Sequence, residues 1–209
     1  MDFESEAWEQ AYRRRKDLWA ETTLRLPDLK PGSRVLELGC GNARTAVPLI
    51  QKGLAVTALD FSRTAARAAS ALVRKSDTGD VVLADARLVP FTQSSFDAVI
   101  ARHVIGHMNA SDRKTLTREI ARVTKPEGSI LFSGFSWEDF RYNQGKPVEE
   151  GTFLRGTGIS THYFTEDEVC LLFEPLVCQS IVTERWKIRI RGTDYPRAGI
   201  NATFKRQIS

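Results

Sequence analysis

Between residues 33 and 134 the chain alternates short apolar runs with amphipathic stretches, and this alternation limits the possible folds more than any other feature. The runs 33–38 (SRVLEL), 54–60 (LAVTALD), 80–86 (DVVLADA), 96–102 (FDAVIAR) and 129–134 (SILFSG) have strand length and strand composition. The stretches 43–53, 62–75 and 111–125 read as helices. Ser62 is placed as an N-cap, and Gly53 suits a helix end. Pro48 is tolerable only in a first turn or at a kink. Buried strands joined by helices must run parallel, because each crossover returns the chain to the same edge. The expectation is a doubly wound α/β fold.

The flanks differ from this middle part. Residues 4–26 read as an amphipathic helix carrying Trp8, Tyr12 and Trp19, ended by Pro27 and the Pro31-Gly32 turn. Residues 136–160 are polar, aromatic and glycine-containing, with no clear period. Such a segment is usually functional or mobile. Thr165 and Glu168 form a capping box for a short helix. The stretches 176–191 and 199–206 are strand candidates, and two successive strands at the end suggest an antiparallel hairpin closing the sheet. With 42% apolar and 27% charged residues the composition is that of an ordinary globular protein. Three scattered cysteines exclude a disulfide framework and a CxxC zinc knuckle. An acidic start, with no greasy segment and no long apolar run, predicts a cytoplasmic chain without a membrane span. The net charge of +4 is concentrated at the end: residues 181–209 hold seven basic and two acidic residues.

The chemistry is concentrated at Val35 to Asn42, where a strand enters a turn with Gly39 and Gly41. A turn without bulk lets a ligand lie against the backbone, and the helix that follows adds a positive dipole. Dinucleotide enzymes use the same device, but Arg44 stands where their third glycine would be needed beside a pyrophosphate. Glu37 is placed to meet a ligand ammonium. Asp60 ends the second strand, 21 residues after Gly39, where a carboxylate reaches a ribose diol. Asp85 ends the third strand and is placed to accept from an adenine amino group, although either aspartate could simply cap the next helix. A sugar, an adenine and a cationic amino-acid tail without phosphate describe S-adenosylmethionine.

VLELGCGNAR, VTALDFS, LADARLVPFTQSSFDAVIARHVIGHM and REIARVTKPEGSILFS, in that order, resemble the class I S-adenosylmethionine-dependent methyltransferases with the ELGCGxG signature, over roughly residues 30–135. Ala43 departs from the glycine that many members carry. The resemblance implies a single domain over 1–209 with a Rossmann-like, mostly parallel seven-stranded sheet and a C-terminal antiparallel hairpin. It implies an N-terminal helical lid at 1–29 and a substrate-side insertion at 136–164. By the same resemblance Glu37, Gly39, Cys40, Gly41 and Asn42 line the methionine part of the cofactor, and Asp60 takes the ribose hydroxyls. Phe61 packs near the adenine, Asp85 and Ala86 bind its edge, and Ala101 and Arg102 approach the methionine moiety.

Methyl transfer from a sulfonium needs alignment and a dry site, and needs a base only where the acceptor loses a proton. His103 and His107, four residues apart, would share a face of a helical turn. They read as catalytic or substrate-orienting groups, as packing, or as a metal pair that lacks a third ligand, and no metal is expected. His162 reads as a packing residue. Cys40 reads as a small packing residue too, since no base lies beside it. Tyr12 and Trp19, with Trp8, either cover the cofactor or only pack their helix, while Arg13, Arg14 and Arg15 form a solvated face or pair with the cofactor carboxylate. Lys187, Arg189, Arg191 and Arg197 form an anion-binding strip or a charged strand face.

The leading reading is a methyltransferase acting on a small molecule, as a monomer or homodimer. A tRNA methyltransferase of the wobble-uridine type is the alternative within enzymes, and a catalytically idle partner subunit the alternative outside them. A nicotinamide oxidoreductase is disfavoured by Arg44.

Overall fold

A computed structural model describes residues 3–14 and 28–207. Five parallel strands form the middle of the sheet: β1 (Arg34–Leu38), β2 (Ala55–Asp60), β3 (Gly79–Leu83), β4 (Phe96–Arg102) and β5 (Thr124–Ser136), in the order β3-β2-β1-β4-β5. The crossovers include α2 (Ala46–Gln51), α3 (Arg63–Val73) and α4 (Ala110–Val123). Later in the chain, α5 (Glu166–Leu172) precedes β9 (Val177–Ile190) and β10 (Thr193–Lys205). β10 lies antiparallel between β5 and β9, so the C-terminal hairpin closes this side of the sheet.

Strand side chains alternate between the two faces, and each face has its own core. Val35, Val56 and Ala58 pack with Ala46 and Leu49 of α2 and with Ala69 and Val73 of α3. Leu36, Leu38 and Leu59 pack on the opposite side with Leu116 and Ile120 of α4 and with Val169 of α5. The result is three layers with helices on both faces of the sheet. Local chemistry fixes the helix starts. The Ser62 hydroxyl accepts from the Ala65 N–H at 3.1 Å, and Thr165 accepts from Glu168 N–H at 3.1 Å. Pro48 sits in the first turn of α2, where its missing N–H costs nothing. Gly53 follows that helix with φ +81°, its N–H donating to the Ile50 carbonyl.

One expectation changes, and another falls partly outside the described residues. The first helix, α1, is described over Phe3–Arg14, so the part of the 4–26 expectation after Arg14, with Trp19, Arg15 and Lys16, lies outside the described residues. The segment 136–160 contains more regular structure than its sequence predicts. It builds β6 (Lys146–Glu149) and β7 (Thr152–Leu154), which continue into β8 (Ser160–Phe164) as an antiparallel meander. β8 then runs parallel to the end of β5, pairing Tyr163 with Phe135. The seven expected strands are present, and these three short ones make the sheet ten-stranded. Strands of three to five residues separated by glycine turns leave no period to read. No helix among the described residues is long and apolar enough to cross a membrane.

Candidate active site

A cavity of about 500 Å³ opens at the C-terminal ends of β1, β2 and β4, where ligands of doubly wound sheets meet the chain. Its floor is the turn after β1. Gly39 and Gly41 have φ +64° and +53°, and Ala43, the departure from glycine, also has φ +59°. The turn is pinned to β2: Cys40 N–H donates to the Leu59 carbonyl at 3.0 Å, and Gly41 N–H donates to Asp60 Oδ2 at 2.9 Å. A Cβ on Gly41 would stand 2.8 Å from the Tyr12 hydroxyl. The tip of the Tyr12 side chain therefore occupies the space a Cβ would take, and the φ itself favours glycine.

Glu37 is buried beneath this turn. Burial pushes its carboxyl up to about 7, against hydrogen bonds from the Thr45 hydroxyl and the Ala46 N–H and the pull of Arg102. Its Oε2 has no hydrogen-bond partner among the described residues. An orphaned buried carboxylate oxygen at the cavity floor fits a cationic ligand group. Arg102 donates to the Thr45 hydroxyl at 3.2 Å, and burial pulls its own pKa down. Thr45 was not anticipated as a site residue; it joins Glu37 to Arg102, and nothing in its spacing announces that.

Asp60 is also buried, and burial raises its pKa. Besides the Gly41 bond, its Oδ1 accepts from Ser62 N–H at 2.9 Å. A carboxylate oxygen has two lone pairs, so both oxygens keep acceptor capacity toward the cavity. Asp85 lines the cavity as well, but it does so as a cap. It accepts from Arg87 N–H at 2.8 Å and holds the Arg87 guanidinium at 2.6–3.0 Å. Arg87 reaches on to Asp112 at 2.8 Å. Ala86, Asn42 and the half-exposed Phe61 complete this side. Ala101 does not line the cavity. Its side chain is in the core beneath, because strand alternation turns it away from the neighbouring Arg102.

His103 and His107 both reach the cavity, though not from one α-helical face. His103 has φ +49°, and His107 ends the 3₁₀ turn Ile105–His107 that follows it. The His103 ring lies 4.5 Å from the Phe135 ring, and the His103 backbone N–H donates to the Ser133 carbonyl at 2.8 Å. Burial first, and the neighbouring Arg102 charge second, push its pKa down to about 3. His107 Nδ1 lies 2.8 Å from the Ser160 carbonyl, which only accepts, so Nδ1 carries the proton and Nε2 is the basic nitrogen. The Trp8 ring meets His107 edge-on at 4.8 Å. His162 is a structural residue on β8, between the Thr152 hydroxyl and Glu168 Oε1 at 2.7 Å each.

α1 contributes Trp8 and Tyr12 to the cavity lining. Glu9 ties it down, accepting from the Ser62 hydroxyl at 2.6 Å and from the Thr64 N–H at 3.3 Å. Both donors belong to the start of α3, 53 and 55 residues away, a distance at which no local pattern announces a contact. Burial pushes the Cys40 thiol up, further still beside Glu37 and Asp60, which is the environment of a packing residue.

Arg197 is the clearest correction. It is 8% exposed and does not belong to an open anion-binding strip. Its Nε donates to the buried Asp139, and its guanidinium lies 4.9 Å from the Phe135 ring and 5.4 Å from the Trp186 ring. The strand alternation that faces Lys187 and Arg189 outward belongs to β9. Arg197 is on β10, opposite Trp186. Within the strip, Arg189 is engaged by Asp194 at 2.7 and 2.9 Å.

The methyltransferase domain family matches residues 36–132. A demethylmenaquinone methyltransferase from Corynebacterium efficiens is 37% identical over 119 residues, covering 57% of this chain and 49% of that protein. A tRNA N(3)-methylcytidine methyltransferase from Drosophila melanogaster is 30% identical over 199 residues, covering 86% of this chain and 60% of that protein. The chain thus spans about half the length of the curated relatives it matches. Among solved structures, a SAM-dependent methyltransferase from Methanosarcina mazei superposes with a TM-score of 0.75 at 23% identity, over 89% of this chain and all of that one. The strand order, the glycine turn with its two buried acids, and the match across that region agree: residues 36–132 form a methyltransferase domain, on the fold of the class I S-adenosylmethionine-dependent methyltransferases.

Proposed function

We propose that this chain transfers a methyl group from S-adenosylmethionine to a small-molecule acceptor. The observation that supports this best is the cavity, with the orphaned Glu37 oxygen and the Asp60 carboxylate at its floor and Trp8 and Tyr12 of α1 in its lining. When bound, the sulfonium supplies the electrophilic methyl group. In this reading Glu37 receives the cofactor ammonium, Asp60 the ribose hydroxyls, and the Gly39–Asn42 backbone the methionine chain. Phe61 and Ala86 flank the adenine, and Asp85 and its Arg87 partner form the adenine end. Tyr12 and Trp8 exclude water, which leaves the displacement undisturbed by hydrolysis.

His103, with its pKa held near 3, is neutral at working pH and a poor base. Its role in this reading is to orient the acceptor by hydrogen bonding. Burial lowers the pKa of His107 too, against its hydrogen bond to Ser160, but its Nε2 is the unprotonated nitrogen, which makes it the better candidate to accept a proton. The segment 136–164 bounds the acceptor side of the domain.

One observation favours tRNA as a second reading: the relative that acts on tRNA matches 86% of this chain. Lys187 and Arg191 on the exposed hairpin would then meet phosphates. Calorimetric titration with S-adenosylmethionine and with its demethylated product tests the shared part. Micromolar binding of both is expected, and absence of both overturns the enzyme reading. Titration of tRNA at two salt concentrations separates the two acceptors.

A further inference from the structure

The C-terminal edge of the sheet holds a second group of charges, beyond β5 and outside the cavity lining. Arg141 follows β5, Arg155 follows β7, and Arg197 lies on β10. Among the described residues, the carboxylate that engages them is Asp139, and it is already committed. Asp139 Oδ2 takes the Arg197 Nε and the Ala198 N–H, and its Oδ1 takes the backbone N–H of Arg141. Arg155 donates to the Tyr163 hydroxyl at 3.3 Å.

Arg141 differs from its neighbours. Its guanidinium stands over Phe135 at 5.9 Å and Phe140 at 5.5 Å. The Arg197 guanidinium stands over the same two rings, at 4.9 and 6.0 Å. Arg141 is half-buried, and its side chain makes no hydrogen bond or ion pair with any described residue. Burial, and then the neighbouring Arg197 charge, disfavour its protonated form, with Asp139 opposing. A half-buried guanidinium lying against two aromatic rings, with no acceptor among the described residues, keeps its N–H donors available to a ligand. Phe135, under that guanidinium, is the same ring that lies 4.5 Å from His103 in the cavity wall.

We infer that Arg141, backed by Arg155 and Arg197, receives an oxyanion, a carboxylate or phosphate, carried by the small-molecule methyl acceptor. This rests on the methyltransferase reading above. An acceptor whose reacting atom enters the cavity past His103 would extend its anionic end along Phe135 to Arg141. The guanidinium fork matches either oxyanion bidentately, which a lysine cannot do. A phosphate of a tRNA chain is the competing occupant. The cavity and the half-buried position of Arg141 favour the small molecule.

The test uses the full chain saturated with S-adenosylhomocysteine, titrated with benzoate, phenyl phosphate and the neutral benzamide, and followed by calorimetry. Saturable millimolar or tighter binding of at least one anion is expected, with no binding of benzamide. Arg141→Gln should weaken that binding at least tenfold and leave the S-adenosylhomocysteine affinity unchanged, while Arg141→Lys should recover part of it. The better of the two probes identifies carboxylate or phosphate as the natural group. Equal binding of benzamide, or equal anion binding by Arg141→Gln, overturns the proposal. So does a tRNA affinity lost in Arg141→Gln without binding of either small anion. Should Arg141→Gln fail to fold, the comparison of the anions with benzamide on the unchanged protein still decides. Loss of S-adenosylhomocysteine binding in the unchanged protein would instead sink the methyltransferase reading, so the two failures are separable.

Discussion

Asp60 holds the glycine turn through Gly41 and the start of α3 through Ser62, while keeping acceptor capacity toward the cavity. Asp60→Ala should weaken S-adenosylhomocysteine by about 2–4 kcal/mol, the worth of two hydrogen bonds to a charged acceptor. Calorimetry reads this directly, and an unchanged affinity would remove Asp60 from the ribose. Glu37 makes a pH-dependent prediction. Its carboxyl is raised to about 7, so between the ordinary carboxylate pKa and that value the folded chain holds a proton the unfolded chain has lost. Stability of the ligand-free protein should therefore fall as pH rises through that window, by about 3 kcal/mol in all. Glu37→Gln should abolish this part of the slope in urea unfolding measured at several pH values. Cofactor affinity should rise over the same window, since a ligand ammonium favours the ionised form. A slope unchanged by Glu37→Gln would mean that the carboxyl titrates normally.

At the scale of elements, the question is what holds α1 against the cavity. Glu9 satisfies the hydroxyls of Ser62 and Thr64 and the Thr64 N–H at the positive end of α3. Those bonds outweigh its burial, so its pKa is lowered. Glu9→Ala should leave the fold intact and release S-adenosylhomocysteine about tenfold faster, the equivalent of about 1.4 kcal/mol. Stopped-flow displacement measures that rate. If release is unchanged, α1 is packed on the domain without gating it. The helix starts were legible in the sequence because caps act over three residues, as at Ser62 and Thr165. Glu9 was not, because its partners come together only when the sheet is assembled.

For the whole molecule, the basic C-terminal end separates into two unlike parts. Arg197 and Asp139 form a buried pair that joins β10 to the chain leaving β5. Arg197→Ala should cost about 3–5 kcal/mol in urea unfolding, because Asp139 is left buried and uncompensated. A smaller cost, within the range of a surface substitution, would place Arg197 outside the structural framework. Lys187, Arg189 and Arg191 are exposed on the hairpin. Replacing all three by Gln should leave S-adenosylhomocysteine binding and the melting temperature unchanged and remove any salt-sensitive tRNA affinity. Loss of cofactor binding in that variant would mean that the strip is structural.

The sequence by itself determined the alternating parallel core, the glycine turn and the acids at the ends of the first two strands. These are set by periods of two and 3.6 residues and by backbone conformations that act within one turn. Only the tertiary structure decided that Arg197 is buried with Asp139. It also decided that residues 146–164 add strands and that Glu9 latches α1. Each of these depends on which groups, distant in the chain, exclude water from one another, and burial of that kind leaves no trace in local spacing.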